Sequence, residues 1–405
     1  MADNKDKKVL NVPDLRFPEF SGEWEEHYLA EYLDFKNGLN PSANKFGSGI
    51  KFISVMDILN NDFITYDCIR TSVKITPEEQ VAFAVEKGDV LFQRSSETLE
   101  DVGRANVYMD DQPAVFGGFV IRGKKKAEYN PMFFRYLLAS PYARKKVIPM
   151  GAGAQHFNIG QDGLSKVKLH FPILQEQQRI AALLRLIDER ISVQNKIIDK
   201  LKTLIKGIVD TIFTANKFPK VPFKEIYVRA GEGGTPSTSN PEYYDNGTIP
   251  FIKIDDLQNK YIKTNKDCIT ELGLQKSSAW IVPANSIIYS NGATIGAISI
   301  NLFPVCTKQG ILGVVPKADI NVEFLYYFMT STAFTKAVER IVTEGTMRTA
   351  YLKDINHILC PVPCSVNQDE IAKLLSTLSE KLENEVIFQM KLQKQKEFLL
   401  SQMFI

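Results

Sequence analysis

Apolar positions along the chain follow two periods. From Ile180, residues at alternating steps of four and three are Leu184, Ile187, Ile191, Gln194, Ile198, Leu201, Ile205, Ile208 and Ile212. That is a heptad seam with one polar position, in a stretch free of proline, and it predicts a long helix with a coiled-coil face. A second seam runs Ile371, Leu375, Leu378, Leu382, Glu385, Gln389, Leu392, Lys396, Leu399 and Met403, with Val386 and Met390 beside its polar stretch. Outside these seams the pattern is short β-branched and aromatic runs, punctuated by Gly, Pro, Asn and Asp, as in mixed α/β domains. Helix-period patterns near 132–146 and 323–340 each precede a glycine-containing loop and a proline-marked exit.

The two seams sit at equivalent places in an internal duplication. Gly49-Ile-Lys-Phe-Ile-Ser-Val-Met-Asp-Ile58 matches 247–257, setting Phe52 against Phe251 and Asp57 against Asp256. Asp67-Cys-Ile69 matches Asp267-Cys-Ile269, and Val90-Leu-Phe92 matches Ile287-Ile-Tyr289. Asn130 through Ser140 matches Asn321 through Ser331, and Arg179 through Leu184 matches Glu370 through Leu375. Five matches in one order make chance similarity improbable. The expected fold is α+β: two α/β domains related by a pseudo-two-fold and separated by two long antiparallel coiled-coil helices. The boundaries are 1–172 for the first domain, 173–215 for the central helix, 216–362 for the second domain and 363–405 for the last helix. Residues 176–214 make a helix of roughly 58 Å at about 1.5 Å per residue. Gln194 and Glu385, where the seams turn polar, are expected to meet near the pseudo-axis and fix register.

Composition narrows the class. The 405 residues are 44% hydrophobic and 24% charged, as in an ordinary globular protein. The first residues lack an apolar signal core, and no apolar run reaches the length of a membrane span, so a cytoplasmic location is expected. A formal net charge of +2 gives no polycation, so tight DNA binding would need local patches or partners. The five cysteines form no Cys-x-x-Cys pair, and reduced buried thiols are the expected state. Trp24 and Trp280 are expected in the core. There is no phosphate loop, no Gly-x-Gly-x-x-Gly after a strand, no Asn-Pro-Pro-aromatic run, and no i, i+4 histidine pair. No catalytic or metal-binding residue is therefore assigned.

Several segments resemble the specificity subunits of type I restriction-modification systems. They are Val12-Pro-Asp-Leu-Arg-Phe-Pro18 with Trp24, the Gln175-Glu-Gln-Gln-Arg-Ile-Ala181 helix start, and Asn291-Gly-Ala-Thr-Ile-Gly296. The first domain carries Arg94-Ser-Ser-Glu-Thr-Leu-Glu-Asp-Val-Gly103 in place of that last motif. The resemblance spans nearly the whole chain and rests on the order and duplication of the segments. It implies two target-recognition domains that each read half of a bipartite DNA site, and helices that dock methyltransferase subunits. Two methyltransferase subunits are expected, because the repeat offers two equivalent docking surfaces, with restriction subunits in the full complex. No cofactor is expected in this chain; S-adenosylmethionine, and ATP with magnesium, belong on the partners.

Base reading needs directional donors and acceptors on loops. Repeat-related candidates are Gln93, Arg94 and Ser95 against Ser290, Asn291 and Thr294, and Gln155, His156 and Asn158 against Thr346 and Arg348. Arg144 and Lys145 are candidate phosphate contacts, and Lys124-Lys-Lys126 reads better as a solvated turn. Two other readings stay open: a methyltransferase or nuclease whose active site is assembled from scattered residues, and a coiled-coil scaffold without a DNA role.

Overall fold

The computed structural model describes residues 10–215, 218–292, 294–342 and 348–405. The chain divides into two units. One runs to Asn195 and takes back Ile387–Ile405; the other is Lys196–Val386. The division differs from the sequence boundaries because each unit claims half of each long helix. Within each unit, apolar residues of the helix halves also join the domain core.

In the first unit, four antiparallel strands lie in the order Leu33–Asn37, Val120–Lys125, Val90–Gln93, Ala105–Val107. A three-stranded sheet beside them centres on Phe46–Ile53, which runs parallel to Val115–Phe116. The second unit repeats the plan. Ile311–Pro316 pairs with Ser286–Ser290, and Ile249–Ile252 runs parallel to Cys306–Thr307. Register confirms the duplication at single residues: Phe52 opposes Val115 and Phe251 opposes Cys306, while Phe92 opposes Ile121 and Tyr289 opposes Leu312. One difference is the extra edge strand Tyr261–Ile262, whose counterpart in the first unit is a single bridge from Ile64 to Tyr108.

Each single helix expected behind the sheets is two. Pro131–Ala139 and Pro141–Val147 break at Ser140; Val322–Thr330 and Thr332–Ile341 break at Ser331. The serine hydroxyl accepts from the amide three residues on, Ala143 or Phe334, at 3.2 Å, and so starts a new helix. Asn130 and Asn321 cap the preceding pair, each accepting from the amide of a phenylalanine three residues on at 3.0 Å.

The long helices are Leu174–Thr214 and Ser365–Gln402. In the first unit their halves run antiparallel: Lys396 reaches Asp188 at 2.5 Å, and Arg190 stacks on Phe388. Leu184, Ile187, Leu399 and Met403 share a core with Trp24 and Phe133. In the second unit Val209 and Phe213 share a core with Ala372 and Leu375. Gln194 is buried and Glu385 is half-buried beside Lys381 at 3.6 Å; each belongs to its own unit.

An amide repeated in both units locks each helix start. Gln177 accepts from the Asn130 amide at 3.0 Å and donates to the Pro172 carbonyl at 3.0 Å. Gln368 accepts from the Asn321 amide at 2.9 Å and donates to the Pro363 carbonyl at 3.0 Å. In the first unit only, Glu176 next door binds Arg16 through two bonds of 2.8 and 2.7 Å and accepts from the Trp24 indole at 3.3 Å. Those contacts tie the Val12–Trp24 segment to the helix.

Trp24 is buried as expected, but Trp280 is only half-buried. Its ring lies over Gly231 and Gly313, where a Cβ would meet the indole at 3.3 and 3.0 Å, and Arg229 stacks 4.1 Å from the ring. Cys360 is buried, which raises its thiol pKa, and Cys364 is exposed. No group of metal ligands occurs among the described residues. No helix there is long and apolar enough to cross a membrane.

Candidate nucleic-acid interface

The loops singled out in the sequence come together. In the first unit Ser95–Ser96 pairs with Phe157–Asn158, and the Ser95 hydroxyl donates to the Asn158 side chain. The Ile159 amide donates to the Arg94 carbonyl at 3.0 Å. A third segment joins them, the β-turn Gly117–Val120, closed by a 2.8 Å bond from the Val120 amide to the Gly117 carbonyl. The Arg94 amide donates to the Phe119 carbonyl at 2.8 Å, and its guanidinium to the Gly118 carbonyl at 3.3 Å.

The second unit builds the same junction. The Ala350 amide donates to the Asn291 carbonyl at 2.9 Å, and the Asn291 amide to the Gly310 carbonyl at 3.1 Å. Gly310 sits in the matching turn Lys308–Ile311, closed at 3.1 Å. Arg94 and Asn291 are thus the same backbone position, and Phe119 and Gly310 are another.

Side-chain placement divides the candidates. Arg94 and Ser95 are half-exposed, and Gln155, His156 and Asn158 are exposed. Thr294 and Arg348 are exposed and line one cavity of about 280 Å³ with Tyr289, Gly296 and Glu339. Lys145 is exposed on its helix. Gln93, Ser290 and Asn291 are buried, and this overturns the expectation that they project into a groove. Gln93 donates to the Ser95 carbonyl at 2.9 Å, and Asn291 to the Ala350 carbonyl at 3.1 Å. They hold the loops rather than present themselves. Arg144 is corrected too. It turns inward onto the carbonyls of Glu100 and Val102 at 2.8 and 2.6 Å, and burial pushes its guanidinium pKa down to about 10. A phosphate would have to displace those bonds. Thr346 lies outside the described residues. The run Lys124–Lys126 is not the solvated turn expected: Lys124 and Lys125 end the strand Val120–Lys125 half-buried, near Glu86 at 3.2 Å and Glu128 at 3.4 Å, and Lys126 beyond them is exposed.

Comparison with known sequences decides the family. The profile of the type I restriction modification DNA specificity domain matches twice, over residues 21–203 and 220–391. The chain belongs to that family. A Methanocaldococcus jannaschii protein, named provisionally as the specificity subunit of type I restriction enzyme MjaX, is 23% identical over 400 residues, covering 93% of this chain and 91% of the relative. The type I S subunit from M. genitalium superposes with a TM-score of 0.57 at 16% identity over 97% of this chain and 99% of that one. A chain solved in work on complex assembly and conformational transition of the type I R-M system gives 0.61 at 15% identity, over 93% and 96%. These two likenesses concern the fold.

Each specificity domain also carries exposed residues that stand in no recognisable motif. Lys308 and Gln309 are exposed on the second turn, and Phe119 is exposed on the first. Neither turn lies in a segment matched in the sequence, and the strands after them, Val120–Lys125 and Ile311–Pro316, show their equivalence only through their pairing. Exposed apolar residues also mark the central helix: Leu186 and Val193 in the first unit, Ile197 and Leu204 in the second. Their spacing of seven, four and seven is a second heptad stripe, separate from the buried seam.

Proposed function

We propose that this chain is the DNA-reading specificity subunit of a type I restriction-modification complex. Each specificity domain would read one half of a bipartite target, with no catalysis in this chain. One observation carries the reading: the same three-segment junction recurs in both units with different polar side chains at its surface, half-exposed Arg94 and Ser95 with exposed Asn158 in one and exposed Thr294, Lys308, Gln309 and Arg348 in the other. A common backbone with different donors and acceptors suits a pair of readers for different bases. Arg pairs with guanine, and Asn or Gln with adenine.

The near-neutral charge supports a need for partners. Two methyltransferase subunits would dock on the exposed apolar residues of the long helices, one per unit, and restriction subunits would complete the complex in the cytoplasm. S-adenosylmethionine, and ATP with magnesium, would be held by those partners. The lone chain should bind DNA weakly and lose it as salt rises; addition of methyltransferase should give tight specific binding at two copies per chain, measurable by native mass.

Half-site exchange tests the function. Methylomes of a host with and without this chain define the target. Replacing Gln155 and His156 with alanine should relax one half-site only, and Arg348→Ala the other, each at a cost of about 1–3 kcal/mol for a lost bidentate contact. A stable specific complex of the lone chain, or loss of both halves from either change, would refute the proposal.

A further inference from the structure

Phe119 stands apart from every other large apolar residue at the first junction. It occupies the corner of the Gly117–Val120 turn, is 68% exposed, and belongs to none of the apolar clusters among the described residues. The turn beneath it is held on both sides. Its carbonyl accepts from the Arg94 amide, and a Cβ at Gly118 would come within 1.9 Å of Asn40 Oδ1, so the turn packs flat on that side chain.

The second unit makes the same bond from the strand-end residue to the matching corner, but there the corner is Gly310 at φ +83°, a left-handed backbone that favours glycine, whereas Phe119 has no positive φ. The second unit's turn therefore offers no side chain at this corner, and the first unit's turn does. In the first unit a phenyl ring has been added to a rigid support, beside the Arg94 guanidinium and the Ser95–Asn158 pair. Single exposed apolar residues are common on surfaces. This one is distinguished by its place among the groups proposed to face bases.

We infer that Phe119 reads the 5-methyl group of a thymine in the first half-site, next to the base contacted by Arg94. The inference rests on the DNA-reading function proposed above. In the major groove a thymine differs from every other base by that methyl, and a phenylalanine ring is one of the side chains that contacts it. Arg94 favours the same groove, since guanine O6 and N7 lie there. With glycine at the matching corner, the second unit should lack such a contact.

The test uses the complex assembled with methyltransferase and DNA duplexes carrying its methylome-defined target. Each half-site thymine is replaced in turn by deoxyuridine, which removes only the methyl. The wild-type complex should lose about threefold to tenfold in affinity at one position of the first half-site, the scale of one buried methyl. Phe119→Ala should bind thymine and uracil equally at that position, and Phe119→Leu should keep part of the preference; a cycle of this kind isolates the pair. Preferences in the second half-site should not change. Thermal unfolding of both variants should match the wild type, since the ring is outside the core. A thymine preference that survives Phe119→Ala would overturn the inference, as would a first half-site without an A·T pair. A uniform loss at every sequence, or a loss of methyltransferase attachment without DNA, would do the same and assign Phe119 to a wedge or a protein contact. If the wild-type complex shows no sequence preference at all, the DNA-reading function itself fails. Specific binding without any Phe119-dependent thymine leaves that function standing and removes only this assignment.

Discussion

Gln177 and Gln368 each use one amide to hold two chain segments at once. Leucine at either place fits the volume but leaves a buried amide and a buried carbonyl without partners. Gln177→Leu should destabilise the first unit and Gln368→Leu the second, each by about 1–3 kcal/mol in denaturant unfolding. Glutamate should do no better: it still accepts from the asparagine amide, but it sets a buried carboxylate oxygen against the proline carbonyl that the glutamine amide donates to. Glu323 makes a different kind of contact. Burial raises its carboxyl pKa, but hydrogen bonds from Ser376 and Tyr261 and the Lys260 ammonium lower it further, to a net value below the usual 4.5. A folded value below the unfolded one means stability that is present above the unfolded value and lost as pH falls through the folded one. Acid titration below about 4.5 should therefore melt the second unit earlier, and Glu323→Gln should flatten that limb. At this scale the sequence is a partial guide. It reads Gln93, Ser290 and Asn291 as loop donors and acceptors, whereas Gln93 and Ser290 end strands and all three are buried. Which way a strand-end side chain turns depends on the loops that pack over it, and those come from far along the chain: Asn291 meets Ala350 with a sequence separation of 59. No local pattern carries that information.

Among the elements, the long helices are the most legible, because apolar residues kept at heptad spacing for so long fit a helix with one buried face and little else. The breaks at Ser140 and Ser331 are not legible. The apolar period runs on through both helices, and Ser-Pro or Ser-Thr is only a weak stop within it. The break follows from cap chemistry, where the hydroxyl takes over an amide that would otherwise continue the first helix. The exposed stripe of the central helix is also hidden, since a seam that satisfies the core does not ask for a second one. It leads to a prediction. Leu186→Asp and Val193→Asp should leave the thermal unfolding of the chain within about 0.5 kcal/mol, as for surface changes away from special features. The same pair should cut methyltransferase attachment at one of the two docking surfaces, read as a fall from two copies per chain to one by native mass. Unchanged stoichiometry would place docking elsewhere.

For the whole molecule, the two halves repeat one plan. The matched segments around Phe52 and Phe251 carry that plan in the amino-acid sequence itself, and their strand pairings agree with it. The division into units has no such signature, because it depends on which residues of each helix pack on which domain. Helix length should matter to the target. Four residues inserted after Ile198 and after its equivalent Gln389 would lengthen both helices by about 6 Å, at about 1.5 Å per residue. The unread spacer between half-sites should then grow by one or two base pairs, at about 3.4 Å each. A methylome would show this, with both half-site sequences unchanged; an unaltered spacer would separate helix length from target choice.

The path of the chain bears on its synthesis. The first unit needs Ile387–Ile405: Phe404 packs against Trp24 and Phe133, and the Leu15 amide donates to the Gln402 carbonyl at 2.9 Å. The second unit needs nothing beyond Val386. On the ribosome, where domains usually mature from the amino end, the order here is inverted. The domain that emerges first has to wait with an open core, while the later one can finish before it. A stop codon shortly after Val386 would leave the later domain whole and the earlier one unable to close.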